Sequence, residues 1–191
     1  MTAAPARAAV RRVSRSAGET AALGRRLGRL LAPGDVVALV GDLGAGKTQL
    51  ARGICRGAGV PPAEVASPSF AIVASYRGRL PVHHADLYRL ADFDELYATG
   101  FLDLVGGEGA LLVEWADRVP GALPEERLEI RLTHDERRPS VRHLVAEGTG
   151  ARHAALARAL GRPPARARRA PPPRPRRRAG GSRRSRLRPA R

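Results

Sequence analysis

Cysteine, aromatic residues and lysine are all scarce in this chain of 191 residues. A single cysteine, Cys55, excludes an intramolecular disulfide framework. Aromatic residues make up only 4% of the chain, so its core has to be built from Leu, Val and Ala. The longest apolar runs, such as Val36 to Val40, fall far short of the ~20 residues that a membrane-spanning helix needs. The basic N-terminal residues Arg7, Arg11, Arg12 and Arg15 are not followed by the apolar segment of a secretory leader, so a cytoplasmic protein is expected. The length suits one domain with a core large enough to need no staples.

Acidic residues are missing from one end. The formal charge is +16, from 34 Lys and Arg against 18 Asp and Glu, and the sequence pI is about 11.6. Glu147 is the last acid, and residues 151–191 hold fifteen arginines. Residues 1–150 carry 19 basic and 18 acidic groups, a net +1, and read as one domain. Residues 151–160 read as a C-terminal helix. From about Gly161 the chain strings together Pro171-Pro172-Pro173-Arg174-Pro175, Arg176-Arg177-Arg178 and Gly180-Gly181-Ser182. Such a segment repels itself and has little apolar surface to bury, so 161–191 is expected to be a disordered tail. Of the 34 basic residues only Lys47 is a lysine. Where arginine serves every generic need for positive charge, the one exception marks a task that a guanidinium cannot perform.

Its surroundings define that task. Gly34-Asp35 is a turn signal, and Val36-Val37-Ala38-Leu39-Val40 reads as a strand buried on both faces of a parallel sheet. The run enters Gly41-Asp42-Leu43-Gly44-Ala45-Gly46-Lys47-Thr48, which satisfies G-x-x-x-x-G-K-[ST] at every fixed position. Gln49 to Ala58 reads as helix, with Leu50, Ile54 and Ala58 on one stripe. Glycines let backbone N–H groups close around phosphate oxygens, and the helix aims its positive dipole end at the same anion. Lys47 supplies a compact charge to the β- and γ-phosphates, and Thr48 a hydroxyl to Mg²⁺. The motif predicts a nucleoside triphosphate as ligand.

A carboxylate at the end of a neighbouring strand would complete such a site. Ala110-Leu111-Leu112-Val113-Glu114 and Leu80-Pro81-Val82-His83-His84-Ala85-Asp86 both end on an acid, making Glu114 and Asp86 the candidates. Asp86 could equally cap the following helix or pair with Arg89. Ser67-Pro68-Ser69-Phe70 forms a hydroxyl-bearing turn where γ-phosphate sensors often lie, although Ser-Pro is also an ordinary turn opener.

The order G-D-L-G-A-G-K-T, S-P-S-F, H-A-D-L-Y-R-L, D-E-L-x-x-x-G and L-V-E-W resembles the TsaE family of bacterial ATPases, over roughly Ser14 to Val145. The resemblance implies an ATPase required to make threonylcarbamoyl-adenosine 37 in tRNAs that read codons beginning with A. It implies hydrolysis of ATP with Mg²⁺ to reset a complex of TsaD and TsaB, with tRNA met only through that complex. It further implies that Gly41, Asp42, Leu43, Gly44, Ala45, Gly46, Lys47 and Thr48 bind the nucleotide, and that Asp86 is essential to hydrolysis. Glu114 would approach the metal, and Thr20, in Ser16-Ala17-Gly18-Glu19-Thr20, would lie near the base. Trp115 belongs to the same signature, either as a core aromatic or against the base. Ser69 and Gln49 stand where threonines are usual in the family, and Gly106-Gly107-Glu108-Gly109 is looser than expected. Arg137 or Arg138 is expected to supply an arginine near the nucleotide.

Two other function classes compete. One is a nucleic-acid binder acting through its basic tail; the other is a small-molecule kinase on the same loop, against which residues 1–150 lack an Arg-rich lid. The expected fold is a three-layer α/β P-loop NTPase with a mixed, mainly parallel sheet. Helices are predicted over 17–32, 47–58 and 92–105, and strands over 35–40, 70–76, 80–85, 110–114, 127–133 and 140–146. The strand of the glycine loop is expected to be central, flanked by those ending at Asp86 and Glu114, and the last two strands to be antiparallel.

Overall fold

Eleven elements follow one another along the chain in the computed structural model, which describes residues 4–65, 72–90 and 93–163. They are β1 (Arg7–Ser14), α1 (Ala17–Gly28), β2 (Val36–Val40), α2 (Lys47–Gly57), β3 (Val73–Tyr76), β4 (Val82–Asp86), α3 (Phe93–Ala98), β5 (Ala110–Glu114), β6 (Leu128–Asp135), β7 (Arg138–Thr149) and α4 (Gly150–Gly161). The Ser67–Phe70 turn and residues 164–191 lie outside the described residues. Short 3-10 turns at Phe101–Leu104 and Ala116–Arg118 follow α3 and β5. Gly100, with φ 71°, separates the two helical pieces that occupy the stretch where helices were expected, 92–105.

The strands form one mixed sheet in the order β1-β7-β6-β2-β5-β4-β3. The four central strands are parallel and both edges are antiparallel: β2 pairs with β5 and β6, and β4 with β5, all in parallel. Against them stand the antiparallel pairs β1–β7, β6–β7 and β3–β4. Parallel and antiparallel pairings are thus equal in number, not mainly parallel as expected. A second correction concerns the neighbours of β2. Glu114 ends the strand beside it, but its other flank is β6, in the register Val37↔Leu128. The strand ending at Asp86 lies one place further out, bonded to the far side of β5 at Val82↔Ala110.

Alternation along β2 generates the layers. Val37 and Leu39 join Leu27, Leu50, Ile54 and Leu156 in a core beneath α1, α2 and α4. Val36, Ala38 and Val40 join Leu87, Leu96, Phe101 and Val113 in a second core on the opposite face. All five residues of β2 are buried because both faces are covered. α1 opens on Ser16, whose Oγ accepts from Glu19 N at 3.1 Å, while Glu19 Oε2 accepts from Arg15 N at 2.7 Å.

Candidate functional site

The carboxyl ends of β2, β4 and β5 meet at one edge of the sheet, and the Gly41–Thr48 loop leaves β2 there to start α2. Two features of the backbone make the loop possible. Gly41 has φ 141°, and a Cβ on it would come within 2.2 Å of the Leu132 carbonyl oxygen. Gly46, at φ 101°, is the left-handed residue from which α2 begins. The N–H groups of the first turn of α2, without helical acceptors, face this loop.

Lys47 is buried, and its Nζ donates to the carbonyls of Gly41 and, at 2.9 Å, of Asp42. The Trp115 ring lies over the same ammonium, 3.5 Å from Nζ to the ring centroid. Burial pushes the Lys47 pKa down, opposed by the charges of Glu114, Asp117, Asp86 and Asp42. Trp115 reaches this position because its backbone, at φ 58°, is left-handed immediately after β5. Its ring also packs on Tyr88 at a centroid distance of 4.8 Å. Trp115 thus packs partly buried against the second core, as a core aromatic beside the sheet would, and also covers the lysine.

Thr48 Oγ1 donates to Glu114 Oε2 at 2.8 Å. That spends the hydroxyl proton on the carboxylate and leaves an oxygen lone pair free to face the cleft. Glu114 is 1% exposed, and its other oxygen, Oε1, accepts from His84 Nε2 at 2.9 Å. Asp86 is paired directly across from Glu114 in the β4–β5 register, and its Oδ1 accepts from Tyr88 N at 3.1 Å. A cleft of about 280 Å³ opens on Gly44, Lys47, Thr48, Arg52, Glu114 and Trp115. Among the described residues no group of three or more His, Cys, Asp or Glu is placed to hold a metal ion.

The structure thus brings Lys47, Thr48 and Glu114 together, with Asp86 beside them. Asp42, Leu43 and Gly44 form the exposed tip of the loop, and Ala45 is buried under it. Thr20 is not brought to the cleft: it is 1% exposed, with its hydroxyl bonded to Ser14 Oγ at 2.8 Å and to the Ser16 carbonyl. Arg138 is bound to Asp135 at 2.8 Å in the β6–β7 turn, holding that carboxyl down at a pKa of about 2. The arginine against the loop is Arg142, whose Nη2 donates to the Gly44 carbonyl at 3.2 Å. Sequence reasoning missed it because Arg142 stands alone inside a strand rather than in a conspicuous basic pair. His84 was also missed as a partner of Glu114, though it lies two residues before Asp86 and so shares its face of β4. Cys55 is fully buried, and burial pushes its thiol up to about 12.

A mixed α/β sheet with a glycine loop, a covered lysine and a hydroxyl–carboxylate pair at its carboxyl edge defines an α/β protein whose site lies where strands end and helices begin. Residues 14–143 match the model of the threonylcarbamoyl adenosine biosynthesis protein TsaE, and the chain belongs to the TsaE family. The tRNA threonylcarbamoyladenosine biosynthesis protein TsaE of Treponema pallidum is 44% identical over 123 residues, covering 64% of this chain and 90% of its own. Its namesake from Streptomyces coelicolor is 42% identical over 142 residues, covering 69% and 92%. The crystal structure of Bacillus subtilis YdiB superposes with a TM-score of 0.63 at 30% identity, over 83% of this chain and 97% of that one. Among the described residues no helix is long and apolar enough to cross a membrane.

Proposed function

We propose that the protein is a Mg²⁺-dependent ATPase acting in the biosynthesis of tRNA threonylcarbamoyladenosine, by resetting a complex of TsaD and TsaB through ATP hydrolysis. The observation that carries this reading is the convergence of Lys47, Thr48 and Glu114 on one cleft at the end of β2. The reaction is ATP + H₂O → ADP + phosphate. The loop N–H groups and the start of α2 bind the phosphates, and Lys47 leaves its loop carbonyls to offset the charge that develops on the γ-phosphate. The Thr48 lone pair and Glu114 are oxygen donors of the kind Mg²⁺ takes, in a site that leaves its remaining positions to phosphates and water. Held by Thr48 and Glu114, such an ion would supply charge neutralisation to the bound phosphates. Asp86, one strand further out, orients the attacking water. Tyr88, packed on Trp115 at the rim of the cleft, is exposed, and turnover is slow until a partner completes the site. The cytoplasm, where tRNA is modified, is the proposed location.

Lys47→Ala is expected to lose ATP binding in a calorimetric titration, because removing charge-assisted bonds costs about 1.5–3 kcal/mol or more. Asp86→Ala and Glu114→Ala should retain binding and lose phosphate release. Full ATPase activity in Asp86→Ala would remove that residue from the mechanism. Wild-type protein that neither binds nor hydrolyses ATP with Mg²⁺ would overturn the whole reading.

A further inference from the structure

His84 is the most deeply buried polar side chain near the cleft that the proposed chemistry does not use, at 0% exposure. It lies on β4 opposite Leu112 of β5, and Asp86 lies opposite Glu114. Alternation puts all four side chains on the face that α2 covers. From there the His84 ring reaches diagonally to Glu114, and its Nε2–H donates to Oε1 at 2.9 Å. The Tyr76 ring, tilted by 48° at 6.3 Å between centroids, stands on the strand beyond it. Among the described residues Nδ1 has no partner. The carboxylate of Glu114 is thus the polar contact of a fully buried imidazole, and packing alone would be served as well by an apolar ring or chain.

The two oxygens of Glu114 have separate partners. His84 takes Oε1, and Thr48 gives its hydroxyl proton to Oε2. A glutamate at the end of a strand has three side-chain torsions, and two hydrogen bonds on opposite oxygens fix the last of them. With His84 present, the carboxylate plane is set so that Oε2 meets Thr48, and the Thr48 lone pair is left pointing into the cleft. Without it, Glu114 is a buried carboxylate short of a donor, free to turn away from Thr48 and release its hydroxyl.

We propose that His84 is a positioning residue, which holds the Glu114 carboxylate so that Thr48 presents its hydroxyl oxygen to a divalent cation accompanying the nucleotide. The cation part of this assignment rests on the ATPase reading above; the positioning of Glu114 and Thr48 does not.

Two measurements on His84→Leu separate these parts. A crystal structure without nucleotide should show Glu114 turned away from Thr48. A Thr48–Glu114 bond kept at its present 2.8 Å would overturn the positioning role whatever the protein binds. Mn²⁺ titration by electron paramagnetic resonance, in the presence of ADP, should show affinity weakened by about 10- to 100-fold, the usual effect of losing a partner that orients a metal ligand. ADP affinity without metal should stay within about threefold, since Lys47 and the loop N–H groups are untouched. His84→Gln, whose amide N–H can reach Oε1, should restore Mn²⁺ affinity. Unchanged Mn²⁺ affinity in His84→Leu would overturn the cation role. Absence of metal-dependent binding in the wild type would instead overturn the ATPase reading, and the cation role with it. Should His84→Leu not fold, His84→Asn, whose shorter amide stops short of Oε1, takes its place with the same expectations.

Discussion

At the scale of single residues, Lys47 shows why one lysine survives among 33 arginines. Its ammonium fits between two loop carbonyls and the face of Trp115, a space that accepts a point charge on a thin stem. A guanidinium is planar, wider, and demands in-plane acceptors along its fork. Lys47→Arg is therefore expected to keep the charge and still bind ATP at least about tenfold more weakly, the equivalent of one lost charge-assisted bond. Calorimetric titration checks it, and near-normal affinity would show that charge alone suffices at this position. Burial lowers the Lys47 pKa, and the four carboxylates of Glu114, Asp117, Asp86 and Asp42 oppose that effect. This part of the site was legible from the sequence, since the motif is local: strand, loop and helix are consecutive, and Lys47 and Thr48 are neighbours. The Glu114–His84 bond was not legible in the same way. It joins residues thirty apart whose meeting depends on which strands pair and in what register.

At the scale of elements, α1 and α2 lie unusually close because glycines face each other across them. Added Cβ atoms would come within 2.0 Å of the Ile54 carbonyl oxygen at Gly28 and within 2.4 Å of the Ala21 carbonyl oxygen at Gly53. Helix propensity favours alanine over glycine by about 1 kcal/mol, but here the clash is with backbone, which no rotamer change relieves. Gly28→Ala should therefore destabilise by about 1–3 kcal/mol or more, lowering the melting temperature by about 2–4 °C for each kcal/mol. Gly18→Ala is the control. Its Cβ would meet nothing nearer than Ser16 Oγ at 3.7 Å, so a gain of about 0.4–1 kcal/mol is expected. Thermal melts of both variants test the opposed signs. Hydrophobic period located these helices and most of the strands within a few residues, because each buries a continuous apolar stripe or run. It failed at β1, whose inner face is made of Ala8, Val10, the stem of Arg12 and the polar Ser14, with Arg12 Nε donating to the Leu160 carbonyl at 3.0 Å. Arginines that resemble a charged leader in sequence become strand residues once β7 and α4 give them something to pack on. The place of β6 beside β2 was equally hidden, because pairing order depends on long-range contacts that no local pattern encodes.

At the scale of the whole molecule, the two ends of the described chain pack together at one edge of the sheet. β1 pairs with β7, and α4 returns across both to the entry of β2. The joint is Asp35, 3% exposed, which accepts from Ala32 N and from Arg152, through Nε at 2.9 Å and Nη2 at 2.6 Å. Arg152 also donates to the Leu30 carbonyl, so one guanidinium ties α4 to the turn between α1 and β2. His153 completes the joint: its Nε2 accepts from Val36 N at 3.3 Å and lies 3.9 Å from Asp35 Oδ1. An imidazole that accepts a backbone N–H must be neutral at that nitrogen. Burial lowers the His153 pKa, and Arg152 adds to this, while Asp35, Glu126 and the Thr149 backbone pull the other way. The folded protein therefore binds its proton at lower pH than the unfolded chain, whose histidine titrates near ~6.5. The stability from this residue is complete above that value and is lost as pH falls through the folded pKa. Urea midpoints should accordingly be lower at pH 5.5 than at pH 7.5. His153→Gln, whose side-chain carbonyl can still accept from Val36 N, should narrow that difference. A wild-type midpoint that does not move across this window would show that His153 keeps its proton affinity on folding, and that α4 is held by Arg152 and apolar packing alone.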